Sequence, residues 1–136
     1  MRFPKNLKYS ISCPETLGNV AVPPLVVQSM VENSIKYALS IEHMTIIYVR
    51  VQQISMNYDN YIRITILDNG GGFSKQVLDE FEKASKNAPV VTEGTGIWNA
   101  KRRIALLYGN EAQIWLNNLE TKGAGVTIVL PMREMI

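Results

Sequence analysis

Cysteine, histidine and long apolar runs are scarce in this chain of 136 residues, and each scarcity excludes a class of protein. A single cysteine, Cys13, rules out an internal disulfide framework, and a single histidine, His43, argues strongly against a structural zinc site. The longest apolar stretch, Val20–Val31, is too short to span a bilayer and contains Pro23 and Pro24. No basic and apolar signal opens the sequence, so we expect a soluble cytoplasmic domain.

The chain also has little excess charge of either sign, since its 14 basic and 12 acidic residues give a formal net charge of +2. This balance gives no broad electrostatic footprint for nucleic acid or an anionic membrane, and we expect no nucleic-acid partner. The hydrophobic fraction of 46% is ordinary for a globular protein. The length suits one domain, residues 1–136, since single cores usually occupy roughly 100–200 residues.

Hydrophobic periodicity and turn residues predict the order of helices and strands. The predicted strands are Leu7–Ser12, Thr45–Ser55, Tyr61–Leu67, Gln113–Asn117 and Val126–Leu130. The predicted helices are Pro24–Leu39, Lys75–Lys83 and Ile97–Tyr108, the last ended by Gly109. Alternation of apolar and polar residues predicts that the first strand is half-buried. The order favours an α+β two-layer sandwich, with one mixed, mostly antiparallel sheet covered on one face by helices.

The polar side of the first helix allows two interpretations. Its residues, at about 100° of rotation each, are Gln28, Ser29, Glu32, Asn33 and Lys36. A solvated face with a Glu32–Lys36 pair is the plainer one. Asn33 favours the other, because asparagine is a poor helix former that gains nothing at a solvated mid-helix position. An acid, an amide oxygen and a lysine on one face could hold a hard cation and phosphate oxygens.

A carboxylate followed by glycines ends the third predicted strand, with Asp68 preceding Gly70, Gly71 and Gly72. A simple turn explains such a run, since glycine adopts positive φ freely. Three consecutive glycines also allow close approach of the backbone to a flat ligand. A buried carboxylate there would accept from the amino group of adenine and repel the carbonyl oxygen that guanine presents at the equivalent atom.

A second glycine motif, Gly94, Thr95 and Gly96, opens the helix that begins near Ile97. It is either a flexible hinge or a phosphate site, because free N–H groups and the positive dipole end lie at a helix start. The preceding segment has few large residues and could be a mobile flap over a ligand.

Four segments in a fixed order carry a resemblance to one family. They read PPLVVQSMVENSIKYA from Pro23, ILDNGGGFS from Ile66, GTGIWNAKRRIALLYG from Gly94 and GAGVTIVLP from Gly123. Together they resemble the catalytic ATP-binding domain of bacterial sensor histidine kinases, in the branch of the LytS and YesM sensors. That family has the Bergerat (GHKL) fold, shared with gyrases, mismatch-repair ATPases and heat-shock chaperones.

The resemblance implies roles for individual residues, beginning with the ligands of Mg²⁺–ATP. Asn33 would bind the metal, with Glu32 beside it and Lys36 reaching phosphate oxygens, and these three would be the catalytic residues. Asp68 would read adenine, and residues 84–95 would form a lid over the nucleotide. The further nucleotide-binding positions that it implies are Tyr37, Gly70, Gly72, Gly94, Thr95, Gly96, Ile97, Asn99 and Thr127, the last assisting Asp68.

The resemblance also implies a reaction and partners. The γ-phosphate of ATP would pass to a histidine on an upstream dimerisation domain of the same protein, and from there to a response regulator. The chain would be a carboxy-terminal piece of a homodimeric membrane sensor, unable to autophosphorylate alone. One alternative is an anti-sigma-type serine kinase. It is disfavoured because the resemblance implies a glutamate in such enzymes four residues before the metal-binding asparagine, and this chain has Ser29 there. The other is a nucleotide-sensing module without transfer activity.

Overall fold

A computed structural model of the chain describes residues 7–14, 28, 30–32, 34–35, 44–83 and 96–132. The strands are β1 Leu7–Ser12, β2 Thr45–Met56, β3 Asp59–Asp68, β4 Gln113–Asn118 and β5 Ala124–Pro131. Helical residues at 28, 30–32 and 34–35 are named α1, followed by α2 Lys75–Lys83 and α3 Gly96–Tyr108. These elements confirm the predicted order, and the strand bounds shift by no more than two residues from the prediction. None of the described helices is long and apolar enough to cross a membrane.

The strands form one sheet in the order β1-β2-β3-β5-β4. β1 runs parallel to β2, and the other neighbouring pairs are antiparallel, which confirms a mixed and mostly antiparallel sheet. One face of β3 is an unbroken row of buried isoleucines, Ile62, Ile64 and Ile66, and Asp68 continues that row. Side chains alternate along a strand, so Asp68 points to the same side as the isoleucines. That side also packs the buried helix residues Met30, Phe81, Ile97 and Ile104.

The prediction that β1 is half-buried is wrong. Leu7 is buried, but Tyr9 is 53% exposed and Ile11 is 63% exposed. β1 is an edge strand whose partner in the sheet is β2, so the described residues cover it on one side. Alternation indicates which residues share a face, whereas burial depends on what the rest of the chain places over that face.

The β2–β3 hairpin turns through Asn57 and Tyr58, which have φ values of 51° and 70°. Two-residue hairpin loops favour positive φ at both central positions because that twist matches the strands, and glycine is usual at the second. Tyr58 carries a full side chain in this left-handed conformation, and the side chain is fully exposed. The turn therefore holds backbone strain with no packing to offset it.

Replacing Tyr58 with glycine is expected to raise the free energy of unfolding by about 1 kcal/mol, because the left-handed conformation disfavours any residue with a Cβ. Tyr58→Ala is the matched control, since it removes the ring and keeps the Cβ. Urea denaturation of both variants measures the difference. Equal stabilities would show that the backbone at this position is not strained.

Candidate functional site

A cavity of about 290 Å³ lies where β3 ends beneath the helices. Its lining joins the second and third of the four segments that carry the resemblance, because Asp68, Gly71 and Gly72 share it with Ile97 of α3. Ser34 of α1 lines it as well and is itself buried. The volume is near the lower end of small-molecule sites, about 300–1,000 Å³. Segments far apart in sequence therefore meet around one small pocket.

Asp68 is the buried acid of this cavity, with a relative exposure of 8%. Its Oδ1 accepts hydrogen bonds from the backbone N–H of Gly70 at 2.9 Å and of Ala124 at 3.2 Å. Both bonds use Oδ1, so the backbone orients the carboxylate, and among the described residues no hydrogen bond is made to Oδ2. Apolar side chains beside it, including Val77 and Ile97, suit a flat ring that offers an N–H donor at its edge.

The β4–β5 hairpin approaches the backbone of Asp68 closely at Gly123. A Cβ built on Gly123 would lie 1.8 Å from the carbonyl oxygen of Asp68, and the φ of Gly123 is +118°. Only glycine fits both the space and the conformation. Gly72 also has a positive φ, +82°, whereas a Cβ on Gly71 would meet nothing within 4 Å. The hairpin and the glycine loop therefore share one tightly built contact.

The predicted site residues Glu32 and Asn99 do not line the cavity. Glu32 is exposed, and its Oε1 accepts from the side-chain amide of Gln28 at 3.0 Å. Gly96 is the first residue of α3, and Asn99 is exposed on that helix. The other predicted positions lie outside the described residues, namely Asn33, Lys36, Tyr37, Gly94, Thr95 and the lid 84–95.

The predicted assistance of Asp68 by Thr127 is wrong. Thr127 pairs with Thr65 in the β3–β5 register, and Thr65 lies on the face of β3 opposite to Asp68. The preceding residue, Val126, pairs with Ile66 and lies on the same face as Asp68. A shift of one residue along a strand moves a side chain to the other face of the sheet. The match to the family motif therefore assigned the role to a residue that points away from Asp68.

Trp98 is one of the cavity residues that the sequence pattern did not single out. It is half-buried, lines the cavity and lies 5.0 Å from the ring of Phe81 between centroids, with the planes at 47°. Lys101 places its Nζ 4.5 Å from the centroid of the Phe81 ring. The helical pattern of apolar residues predicts which side chains turn away from solvent, but it does not distinguish a residue that lines a cavity from one that is packed in the core.

A larger cavity, of about 590 Å³, lies between α2, α3 and β4. It contains Phe81 and Ile104 and reaches the edge strand β4, but neither Asp68 nor the glycine loop lines it. Polar side chains such as Glu82 and Lys101 line it too, but among the described residues Asp68 is the buried acid, and a small-molecule site combines apolar walls with a few fixed polar groups. The smaller cavity, which holds the oriented carboxylate, is therefore the candidate site.

The chain is similar in sequence to a known family of ATPases and to sensor proteins. Residues 23–134 match the family model of histidine kinase-, DNA gyrase B- and HSP90-like ATPases. The chain is 32% identical over 136 residues to the sensor protein LytS of Oceanobacillus iheyensis, covering 98% of this chain. It is 26% identical over 135 residues to the sensor histidine kinase YesM of Bacillus subtilis, covering 99%. The chain spans 22% and 21% of the lengths of these two relatives.

Solved structures share the fold. The mycobacterial sensor histidine kinase MprB superposes with a TM-score of 0.63 at 18% identity, covering 96% of this chain and 85% of that one. The catalytic domain of histidine kinase ThkA, in a nucleotide-free form, gives 0.63 at 17% identity, covering 93% and 78%. The family match extends over most of the sequence and includes all four segments in full. The chain therefore belongs to the family of histidine kinase-, DNA gyrase B- and HSP90-like ATPases.

Proposed function

We propose that this chain binds Mg²⁺–ATP and donates the γ-phosphate to a histidine on a dimerisation domain of the same sensor protein. The observation that carries the proposal is the buried Asp68, whose Oδ1 is held by two backbone amides beside a small apolar cavity. Family membership supports ATP as the ligand, and the names of LytS and YesM support a sensor kinase as the parent protein.

Adenine is the base that this cavity suits. Its 6-amino group donates a hydrogen bond, which the Oδ2 atom of Asp68 would accept, whereas guanine offers an oxygen at that atom and would be repelled. Ile97 and Trp98 would exclude water from the base, since both line the cavity. Removing water strengthens the discrimination, because a mispaired polar group cannot then return to solvent.

The phosphates and the metal are assigned to the two helices that border the cavity. α3 begins at Gly96, directly before Ile97 of the lining, and the N–H groups that the first turn of a helix leaves without intrahelical partners suit an anion. Asn33 directly precedes Ser34 of the lining, and we assign its amide oxygen to Mg²⁺ and Lys36 to phosphate oxygens. No three histidine, cysteine or acidic residues cluster among those the structure describes. Mg²⁺ commonly takes one or two protein ligands and completes its shell with phosphates and water.

Phosphoryl transfer requires the reacting groups to be in line and their charge neutralised, and asks little covalent chemistry of the protein. A histidine acceptor is already nucleophilic, so a water-activating base is unnecessary. The resemblance implies a glutamate base in the hydrolytic ATPases and serine kinases of this fold at the position that Ser29 occupies here, and its absence favours transfer to histidine over hydrolysis. We therefore assign ATP binding to this chain, and the acceptor to a separate domain of a homodimeric membrane sensor that passes the phosphate to a response regulator.

Binding is tested by thermal unfolding with Mg²⁺–ATP and with Mg²⁺–GTP at equal concentration. ATP at 100 times its dissociation constant should add about 2.7 kcal/mol to the free energy of unfolding. For a chain of this length that corresponds to roughly 10 °C in melting temperature. GTP should give a much smaller shift, and Mg²⁺ alone is the control. Equal shifts with both nucleotides would contradict adenine selection by Asp68.

Transfer is tested by adding the histidine-bearing dimerisation segment of the parent sensor, together with γ-labelled ATP. A histidine kinase labels that segment on an imidazole nitrogen, and the label is lost in acid. A serine kinase would place an acid-stable label on a serine-bearing partner. ATP binding without any labelled product would favour the nucleotide-sensing module.

A further inference from the structure

The loop that joins β3 to α2 is held at both ends by asparagine side chains. At its start, Asn69 accepts from the backbone N–H of Ile46 at 2.8 Å and donates to the carbonyl oxygen of Met44 at 2.9 Å. At its far end, Asn118 accepts from the N–H of Phe73 at 2.6 Å and donates to the carbonyl oxygen of Phe73 at 2.8 Å. Each asparagine pairs with the backbone in the manner of a neighbouring strand, using one donor and one acceptor.

The far end is the part of the loop that faces the cavity. Gly72 and Phe73 both line it, and Gly72 has a φ of +82°. A Cβ on Gly72 would lie 2.7 Å from the Oδ1 atom of Asn118, so the asparagine packs directly against this bend. Asn118 ends β4, and the next strand of the same hairpin supplies the Ala124 N–H that binds Asp68. One hairpin therefore holds both the carboxylate and the glycine loop.

We infer that Asn118 is a positioning residue for the nucleotide site, fixing the glycine loop through the two backbone groups of Phe73. The inference rests on the proposed function, since the loop is taken to border ATP. In this role Asn118 does not touch the nucleotide. Its side chain is exposed, so water can replace its hydrogen bonds when it is removed. Its loss should therefore loosen the loop without unfolding the protein.

The test measures ATP affinity by the fluorescence of Trp98, which lines the cavity. The chain has two tryptophans, so the measurements use a Trp115→Phe background. Asn118→Ala should raise the dissociation constant for Mg²⁺–ATP about 10-fold, the value of one good hydrogen bond. Asn118→Asp keeps the acceptor for the Phe73 N–H but turns a carboxylate oxygen toward the Phe73 carbonyl oxygen, so it should also raise the constant by about 10-fold.

Asn117→Ala is the matched control, because among the described residues its amide donates only to the carbonyl oxygen of Asn118, at 3.4 Å, and it should leave affinity within about 2-fold. Amide hydrogen exchange of the nucleotide-free chain gives a second readout. Exchange at Phe73 should accelerate in Asn118→Ala and remain unchanged in Asn117→Ala, while the free energy of global unfolding stays the same in both.

The outcomes separate the two proposals. If the unaltered chain shows no ATP response, the proposed function fails. If it binds ATP and Asn118→Ala binds equally tightly, or Asn117→Ala weakens binding as much, the positioning role alone is overturned. Should Asn118→Ala fail to fold, Asn118→Asp decides, and an unchanged affinity in that variant would likewise overturn the role.

Discussion

Asp68→Asn is expected to weaken Mg²⁺–ATP binding by about 100-fold, or about 2.7 kcal/mol, with little change in the free energy of unfolding. The amide oxygen of asparagine can still accept from Gly70 and Ala124, the two N–H groups that now bind Oδ1. Its NH₂ group would then replace Oδ2 and face the amino group of adenine, donor against donor. Isothermal titration and urea denaturation measure the two quantities separately.

Asp68→Ala is the informative contrast to that variant. It removes the acceptor for two backbone N–H groups on buried residues, Gly70 and Ala124. Leaving such groups unpaired costs about 1–3 kcal/mol each, so alanine should destabilise the fold as well as the site.

The ratio of ATP to GTP affinity should also fall in Asp68→Asn, because the side-chain amide of asparagine can donate to the carbonyl oxygen of guanine. An asparagine variant that binds ATP as tightly as the unaltered chain would contradict the adenine role.

Gly123→Ala is expected to lower the free energy of unfolding by about 3 kcal/mol or more, because a Cβ there would lie 1.8 Å from the carbonyl oxygen of Asp68. The clash is with backbone, which cannot rotate away as a flexible side chain would. The alanine would also have to adopt a φ of +118°, which residues other than glycine rarely do. Urea denaturation measures the loss.

Gly71→Ala is the matched control for this second change. It adds the same methyl group two residues after Asn69, at a position where the Cβ would meet nothing within 4 Å. We expect its free energy of unfolding to change by less than about 0.5 kcal/mol. If the two alanine variants unfold at the same urea concentration, the close approach between the hairpin and β3 is not present in solution.

Local patterns predicted the elements well because periodicity and turn residues act over a few neighbouring positions. The prediction of α2 as Lys75–Lys83 matches the structure, and the end of α3 at Tyr108 follows from Gly109, whose φ is 60°. Asp68 could be singled out because a carboxylate before three glycines is unusual for a simple turn. Its burial could not, since it requires the register of β5 and the helices above the sheet.

Three features show where local patterns end. Thr127 was expected to share a face of the sheet with Asp68, but it lies on the opposite face. Side chains alternate between the two faces along a strand, so a difference of one residue changes the face. Tyr9 alternates with polar residues, yet β1 lies at an edge and leaves it exposed. Trp98 lines the cavity, although nothing in its local sequence pattern distinguishes it from a core residue. Each outcome depends on a neighbour that is remote in sequence.

The sequence by itself determined the order of helices and strands, the family, and the two glycine motifs, because each of these is written in residues a few positions apart. Only the tertiary structure decided that Gly123 must be glycine and that Asn118 holds Phe73. It also decided that one oxygen of Asp68 is occupied by Gly70 and Ala124. Contacts between segments about 50 residues apart depend on how the sheet brings strand ends together, and no local pattern encodes those distances.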